Sequence, residues 1–322
     1  MINELNESHS RLYEKLYRDL GSDIIGSLKD KEINEIMLNP DGQVWIDSSI
    51  NGLTPASCLT RSQAFSIINA VAGIHNIVIT QHAPSLEAEL PKFREMKGER
   101  FTAQVPPMVS SPSFTIRKKS EISFQLSDYV ATNRLTEKQA KVLVSLVHER
   151  KNILVCGGPG TGKTTVTDAL IVEAIKADST QRFLILEDRP ELQCNAPNTV
   201  AMRTTDLVSM TGLLRAAMRM RPDRILIGEV RGAEALDMLK AWNTGCPGGI
   251  CTVHANGAEE ALQRITDLAM EAGLIVPPIN LIQHTIDAVV SVERMGNRKG
   301  FIKEILSLGE HRNGSYEFKK LA

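Results

Sequence analysis

One segment of the sequence has the residue types and the spacing that bind phosphate groups. Residues 157–164 read GGPGTGKT, which satisfies the pattern GxxxxGK[ST] between an apolar run, NILVCG, and a helical run that begins at Lys163. Glycines let backbone N–H groups turn inward around a phosphate, and the amino end of the following helix adds positive potential. In this pattern the lysine contacts the β- and γ-phosphates, and the hydroxyl of Thr164 is a ligand of Mg²⁺. We therefore expect a nucleoside triphosphate to contact the following residues: Gly158, Pro159, Gly160, Thr161, Gly162, Lys163, Thr164 and Thr165.

Acidic residues end two later apolar runs. RFLILEDRPELQ ends a predicted strand with Glu187 and Asp188 and places Glu191 just beyond it, and RILIGEVRG ends a second strand at Glu229. The carboxyl ends of parallel strands line one crevice. We therefore expect these carboxylates beside residues 157–164, which we call the phosphate loop. There they can hold Mg²⁺ and its water shell or orient an attacking water, whereas the alternative is that they cap the following helices. We predict Thr164, Asp188 and Glu229 as the metal ligands.

One histidine and two arginines are further candidates. The segment TGCPGGICTVHANG places His254 at the end of another strand that runs toward the same crevice, and we predict a phosphate-sensing or coupling role for it. A single histidine at a strand end is more often structural. Arg215 and Arg219 are four residues apart in a predicted helix over 206–220, which puts them on one helix face. A solvated face and the delivery of a guanidinium to a phosphate both stay open for this pair.

The elements that must position these residues differ between the two parts of the chain. The first part begins with leucines at helical spacing up to Gly21, which can stop that helix. Two strands around the turn at residues 39–42, a helix near 61–73 and a strand in FTIRKKS follow. After Leu135 comes a helix with Thr136 as its N-cap, and then apolar strands alternate with helices, which is typical of a parallel sheet covered on both faces. We therefore predict an α/β fold with two domains, residues 1–125 and 126–322.

Composition excludes several classes of protein. The 322 residues carry a net charge of −1 and 4 % aromatic side chains, which argues against direct binding of nucleic acid. The five cysteines contain no CxxC pair, which excludes the usual zinc-ribbon spacings and suggests a reducing compartment. The polar amino terminus is no signal peptide, and no apolar run approaches the length of a membrane span. We expect a cytoplasmic protein.

The order of these motifs resembles that of the secretion ATPases of type II and type IV systems, and most closely the type IV branch. The phosphate loop is followed by ILEDRPELQ, by LLRAAMRMRPDRILIGEVRGAEALDMLKAWNTG and by GGICTVHANG. Earlier in the chain, MLNPDGQVWID and GERFTAQVPPMVSSPSFTIRKKS are similar to segments of the conjugal-transfer ATPases, so the resemblance covers nearly the whole chain. It implies a RecA-like P-loop NTPase domain, with a mostly parallel sheet and helices on both faces, preceded by a smaller α+β domain that covers the nucleotide.

The resemblance also implies roles for individual residues. Those matched by motif position are Glu191 as general base, Glu229 as the Walker B glutamate near Mg²⁺, His254 as the histidine-box residue, Arg100 and Arg117 as arginines that approach the phosphates, and, less closely matched, Arg203. Gly228 stands where many P-loop proteins carry an aspartate, although Gly-Glu is the usual form in this family. The choice of Glu191 or Glu229 as general base therefore stays open.

The function implied is that of an ATP-hydrolysing, Mg²⁺-dependent homohexameric motor of a conjugative type IV secretion system, which energises pilus assembly or substrate transfer. Its expected partners are inner-membrane proteins of that apparatus, with peripheral membrane association and no direct contact with nucleic acid. Two alternatives are a nucleotide-dependent scaffold of the secretion platform and a motor that acts on DNA.

Overall fold

The chain forms two compact units in the computed structural model, Met1–Ile122 and Ser123–Ala322. The structure describes residues 2–48, 51–118, 124–294, 300–312 and 315–322, and the side chains of residues 2–9, which include Leu5, lie outside that description. The assignment of residues 1–125 and 126–322 to separately folding domains stays a prediction.

The first unit packs two helices against an antiparallel sheet. The helices are α1 (Ile2–Lys29) and α2 (Arg61–Ile74), and the strands are β1 (Ile33–Leu38), β2 (Gln43–Ser48), β3 (Gly52–Cys58), β4 (Ser85–Glu89), β5 (Lys92–Phe93), β6 (Met96–Lys97), β7 (Arg100–Gln104) and β8 (Ser113–Arg117). The sheet order is β3-β2-β1-β8-β7-β4, and β5 and β6 form a separate hairpin. Leu16 and Leu20 of α1 and Ile67 of α2 share one core with Ile36 and Phe101 of the sheet.

The helix break predicted at Gly21 is confirmed, and the difference from the prediction lies after it. The backbone leaves helical geometry at Gly21, with φ 73° and ψ 171°, as expected of a helix stop. A second helical segment then continues to Lys29, and its apolar residues Ile24, Ile25 and Leu28 are buried in the same core. The sequence prediction missed this segment because it ended the periodic pattern at the glycine.

The second unit contains a mixed eight-stranded sheet. Its helices are α3 (Leu126–Ala131), α4 (Glu137–His148), α5 (Lys163–Ala177), α6 (Met210–Ala217), α7 (Glu234–Asn243), α8 (Ala258–Met270) and α9 (Ile279–Thr285). Its strands are β9 (Ile153–Gly157), β10 (Phe183–Glu187), β11 (Thr199–Arg203), β12 (Arg224–Glu229), β13 (Ile250–His254), β14 (Ala288–Glu293), β15 (Phe301–Arg312) and β16 (Ser315–Lys320). The order is β11-β10-β12-β13-β9-β14-β15-β16, with parallel pairing from β11 to β14 and antiparallel pairing beyond it.

Helices cover both faces of this sheet. Alternate residues of β9 face opposite ways: Leu154 and Cys156 join a core with α6 to α9, whereas Ile153 and Val155 join a core with α3 to α5. The apolar runs at β9, β10, β12 and β13 are therefore continuous because these strands are buried on both sides. The N-cap prediction at Thr136 is confirmed, since its hydroxyl accepts from the backbone of Gln139. Among the described helices, none is both long and apolar enough to cross a membrane.

A buried arginine ties together the end of the sheet opposite the phosphate loop. Arg224, the first residue of β12, is 1 % exposed. Its Nε donates to Gln181 Oε1 at 2.6 Å, Nη1 to the carbonyl of Gly248 at 3.2 Å, and Nη2 to the carbonyl of Val147 at 2.9 Å. Burial, together with the nearby Arg150, lowers the pKa of Arg224 to about 10.

Replacing Arg224 with methionine should destabilise the second unit. Arg224→Met keeps the unbranched apolar stem of the side chain but leaves three acceptors without these donors, which should lower the free energy of unfolding by about 3 kcal/mol. Urea denaturation followed by circular dichroism measures this change. Arg264→Met on the exposed face of α8 is the matched control, with an expected change below about 0.5 kcal/mol. Equal changes in the two variants would contradict the stabilising role of the Arg224 hydrogen bonds.

Candidate functional site

Steric constraints set the backbone path of the phosphate loop. Gly160 and Gly162 have φ of +67° and +90°, a region that side chains disfavour. A Cβ at Gly157 would lie 2.5 Å from the carbonyl oxygen of Val292 and 2.7 Å from Thr161 Oγ1. The loop therefore joins β9 to the amino end of α5 along a path that glycine permits, and it directs the first turn of α5 toward the carboxyl edge of the sheet.

Lys163 is the buried cation of this loop. It is 8 % exposed, and its Nζ donates to the carbonyl oxygens of Gly157 at 3.0 Å and Gly158 at 3.1 Å. The same Nζ lies 3.1 Å from Nδ1 of His254, which ends the neighbouring strand β13. The predicted lysine and histidine are therefore brought together in the structure.

His254 connects this lysine to Glu229. Its Nε2 lies 3.1 Å from Glu229 Oε1. Burial lowers the pKa of His254, and the charge of Lys163 lowers it further. A neutral ring satisfies both contacts when Nδ1 accepts from Lys163 and Nε2–H donates to Glu229. We assign that tautomer from the two partners.

Arg231 brings the remaining carboxylates together. Its Nη2 donates to Glu229 Oε2 at 2.8 Å, and Nη1 lies 3.9 Å from Asp188 Oδ2. The hydrogen bond with Glu229 raises the pKa of Arg231, and the charges of Asp188 and Glu191 also raise it. Glu229 and Asp188 thus lie around one guanidinium. Sequence reasoning missed Arg231, although its position two residues after Glu229 is a signal that could have found it.

Glu191 and Asp188 lie on the irregular segment between β10 and β11. Both side chains are exposed, and Asp188 Oδ1 accepts from the hydroxyl of Thr204 at 3.1 Å. Thr164 and Thr165, in the first turn of α5, are half-buried. Within the described ranges, no three His, Cys, Asp or Glu side chains form a metal-binding group, so a metal here would also need hydroxyl, phosphate or water oxygens.

Arg100 and Arg117 lie side by side within the first unit. They are direct cross-strand partners on β7 and β8, and Glu35 of β1 is the partner of Arg117 on its other side. Arg117 Nε lies 3.5 Å from Glu35 Oε1. Thr102 and Thr115 line the same shallow pocket.

Two other arginine predictions have different outcomes. Arg215 is exposed on α6, but Arg219 lies beyond the end of that helix at Ala217, so the shared helix face is wrong. The helix ends early because Pro222 follows and Arg221 adopts a positive φ of 53°. Arg203 is exposed at the end of β11, where it pairs in register with Glu187.

Comparisons with known proteins agree on one family. The model of the family described as "Type II/IV secretion system protein" matches residues 54–304. The conjugal transfer protein TrbB of Rhizobium radiobacter is 40 % identical over 315 residues, 98 % of this chain and 96 % of its own length. The type IV secretion system protein VirB11 of Bartonella quintana is 32 % identical over 76 % of this chain and 78 % of its own. The structure of the Legionella pneumophila ATPase DotB has the same fold, with a TM-score of 0.65, 19 % identity, and coverage of 88 % and 78 %.

A buried carboxyl on α5 lies close to the acidic segment. Asp168 is 5 % exposed, and its Oδ1 accepts from the backbone N–H of Gln193 at 2.9 Å. Burial raises the pKa of Asp168 to about 7, and the charges of Glu187 and Glu191 contribute to the increase. The folded protein therefore holds a proton on Asp168 at pH values where the unfolded chain has released it.

Asp168→Asn should change how stability depends on pH. Between about pH 4 and pH 7 the folded state binds the extra proton, so stability falls as the pH rises through this window. Asparagine keeps the Oδ1 acceptor and does not titrate. We expect the stability of the variant relative to wild type to increase by about 2 kcal/mol between pH 5 and pH 8, as measured by urea denaturation. Asp267→Asn, exposed on α8, is the control, and its difference in stability from wild type should not change with pH. If the difference for Asp168→Asn is also independent of pH, the prediction is wrong.

Proposed function

This chain belongs to the type II/IV secretion system protein family and is a relative of the conjugal transfer protein TrbB, and from that premise we propose that it is a Mg²⁺-dependent ATPase that energises a conjugative type IV secretion system. The observation that carries the proposal is the contact set of Lys163. Its ammonium group is held at the mouth of a glycine loop by two backbone carbonyls and a neutral histidine. Phosphate oxygens are charged acceptors, so a hydrogen bond from this ammonium group to a phosphate would be stronger than one to a carbonyl oxygen or to an imidazole nitrogen.

The donor set near the loop fits Mg²⁺. This ion prefers oxygen ligands and is usually held by one or two carboxylates together with substrate phosphates and water. We propose that the hydroxyl of Thr164 and the carboxylates of Glu229 and Asp188 hold it, directly or through water. When bound, the ion neutralises charge on the β- and γ-phosphates.

Glu191 is the better candidate for the general base. Both carboxylate oxygens of Glu229 accept contacts within the protein, Oε1 from His254 and Oε2 from Arg231. The side chain of Glu191 is exposed on the segment beside that cluster, where solvent water can reach it. We propose that Glu191 accepts the proton of the attacking water, while Lys163 stabilises the charge that develops on the γ-phosphate. His254, between Lys163 and Glu229, couples the phosphate loop to the metal site.

The first unit supplies the other cations in this proposal. Arg100 and Arg117 form a pair of guanidinium groups on one sheet face, and such groups bind phosphate oxygens with good geometry. We propose that this pair contacts the nucleotide phosphates when the smaller α+β domain covers the nucleotide held by the RecA-like domain. Nucleotide state would then bias the domain arrangement, because a ligand shifts an equilibrium by its differential affinity for the two states.

We further propose that the protein works as a homohexamer at the cytoplasmic face of the inner membrane, associated peripherally with membrane proteins of the conjugation apparatus. Direct binding of nucleic acid is not part of the proposal, because the net charge is −1 and aromatic side chains are 4 % of the chain.

Removal of the Lys163 ammonium should abolish hydrolysis. We expect Lys163→Ala to lower kcat for ATP by about 100-fold or more, because an electrostatic partner of the transferred phosphate is lost. Release of inorganic phosphate measures turnover in Mg²⁺ buffer, and EDTA should stop it. Lys176→Ala, at the exposed end of the same helix, should keep wild-type turnover. Normal hydrolysis by Lys163→Ala would refute the ATPase proposal.

The phosphate-release assay, combined with a measurement of molecular mass, tests whether the active form is a hexamer. Light scattering coupled to size-exclusion chromatography, with and without Mg²⁺ and ATP, should show a hexamer, and specific activity should increase as the hexamer forms. A monomer with full activity would contradict the ring while leaving the ATPase proposal intact.

Arg117→Ala and Arg100→Ala should each weaken catalysis, and Arg117→Ala should do so with little loss of stability. Arg117 is 53 % exposed and its ion pair with Glu35 is long, so the pair contributes less than about 1 kcal/mol to folding. We expect kcat/KM for ATP to fall by about 10- to 100-fold in each variant, because a charge-assisted contact to phosphate is removed. Arg18→Ala, on the exposed face of α1, should match wild type. Unchanged kcat/KM in both Arg100→Ala and Arg117→Ala would exclude these arginines from the site.

A further inference from the structure

The segment that carries Glu191 has no regular secondary structure to hold it. Residues 188–198 connect β10 to β11 as irregular backbone. A general base must be held within hydrogen-bonding reach of the reacting water, and a shift of about 1 Å can cost a factor of about 100 in rate. Other contacts must therefore fix this segment.

Glu187 provides the first of these contacts. It is the last residue of β10, is 4 % exposed, and its Oε1 accepts from the backbone N–H of Glu191 and of Leu192, both at 2.8 Å. A carboxylate that accepts two backbone hydrogen bonds forms strong, charge-assisted interactions. The base-bearing residue is thus attached by its own amide to the end of β10.

Asp168 provides the second contact from a different element. Its Oδ1 accepts from the next amide along, that of Gln193, at 2.9 Å. Two buried acidic side chains consequently hold three consecutive amides, those of residues 191, 192 and 193. Asp168 belongs to α5, the helix that begins with Lys163, so the Glu191 segment is fixed to the same rigid element as the phosphate loop.

Gly228 makes room for this arrangement. A Cβ at position 228 would lie 3.1 Å from Glu187 Cγ and 3.4 Å from its Oε1. A larger side chain there, including the aspartate that other P-loop proteins carry, would press on the carboxylate of Glu187. Glycine at position 228, where many P-loop proteins have aspartate, therefore leaves the space that the Glu187 side chain occupies.

We propose that Glu187 and Asp168 are positioning residues that hold the backbone at residues 191–193 and so fix the carboxylate of Glu191 relative to the phosphate loop, with Gly228 leaving the space that Glu187 needs. This inference rests on the proposed function for the role of Glu191. The positioning itself has a readout that does not depend on hydrolysis.

Hydrogen–deuterium exchange on the full-length protein tests the positioning directly. Glu187→Ala and Asp168→Ala remove the acceptors, so peptides covering residues 188–198 should exchange at least about tenfold faster than in wild type. Glu187→Gln and Asp168→Asn keep an acceptor oxygen and should retain most of the protection. Glu259→Ala on exposed α8 is the control and should leave the segment unchanged. If residues 188–198 of folded Glu187→Ala exchange at the wild-type rate, the inference is wrong. That result does not depend on whether the protein hydrolyses ATP.

A double-mutant cycle tests the link to catalysis. Glu187→Ala should lower kcat by about 10- to 100-fold, while the affinity for a fluorescent ATP analogue stays within about twofold and Glu187→Gln restores most of kcat. In a Glu191→Gln background, Glu187→Ala should lower kcat no further, because it acts through Glu191. If the two substitutions lower kcat independently, so that their factors multiply in the double variant, the inference is wrong and the ATPase proposal still stands. Wild-type kcat in Glu191→Gln would refute the assignment of the base, and the exchange result would still decide the positioning.

Discussion

Lys163 carries its charge in a position that is 8 % exposed, and a buried ammonium is costly unless neighbouring groups accept its hydrogen bonds. The acceptors come from two adjacent parallel strands: the carbonyl oxygen that ends β9 and the histidine that ends β13. A neutral His254 accepts a hydrogen bond from Lys163 at one ring nitrogen and donates one to Glu229 from the other. Glu229 also accepts a hydrogen bond from Arg231. The charges at this edge of the sheet are therefore one connected set, and a ligand that takes over one of these contacts changes the partners of the next.

Missing side chains are as important as the charged ones for this arrangement. A Cβ at Gly157 would lie 2.5 Å from the carbonyl oxygen of Val292 in β14, and a Cβ at Gly300 would lie 1.7 Å from the carbonyl oxygen of Thr161. At Gly228 the missing Cβ leaves room for the carboxylate of Glu187. Polar groups can meet at this edge because the backbone beside them occupies so little space. Substitution of these glycines would displace the site without removing any group that takes part in it.

The sequence was sufficient for whatever depends on local pattern. The glycine loop, the buried strands and the acidic strand ends each have a short signature, and topology then brings Lys163, Glu229 and His254 together at one edge. Other features depend on contacts between distant segments. Asp168 reads as an ordinary position in a helix, and its contact with Gln193 exists because α5 packs beside the segment after β10. The early end of α6 was missed because a proline five residues after Ala217 outweighed a continuing apolar pattern.

Arg100 and Arg117 show why a local conflict can mark a site. Like charges directly opposite each other on neighbouring strands are unfavourable, by up to about 1 kcal/mol relative to neutral pairs. Glu35 and Glu89 flank the arginines on the adjoining strands and offset part of that cost. A sequence optimised for stability alone would place opposite charges at such a cross-strand pair, and natural proteins retain such conflicts mainly where function requires them. The proposed contact with the nucleotide phosphates fits this conflict, because an anion between the two guanidinium groups would replace their mutual repulsion with attraction to a shared partner.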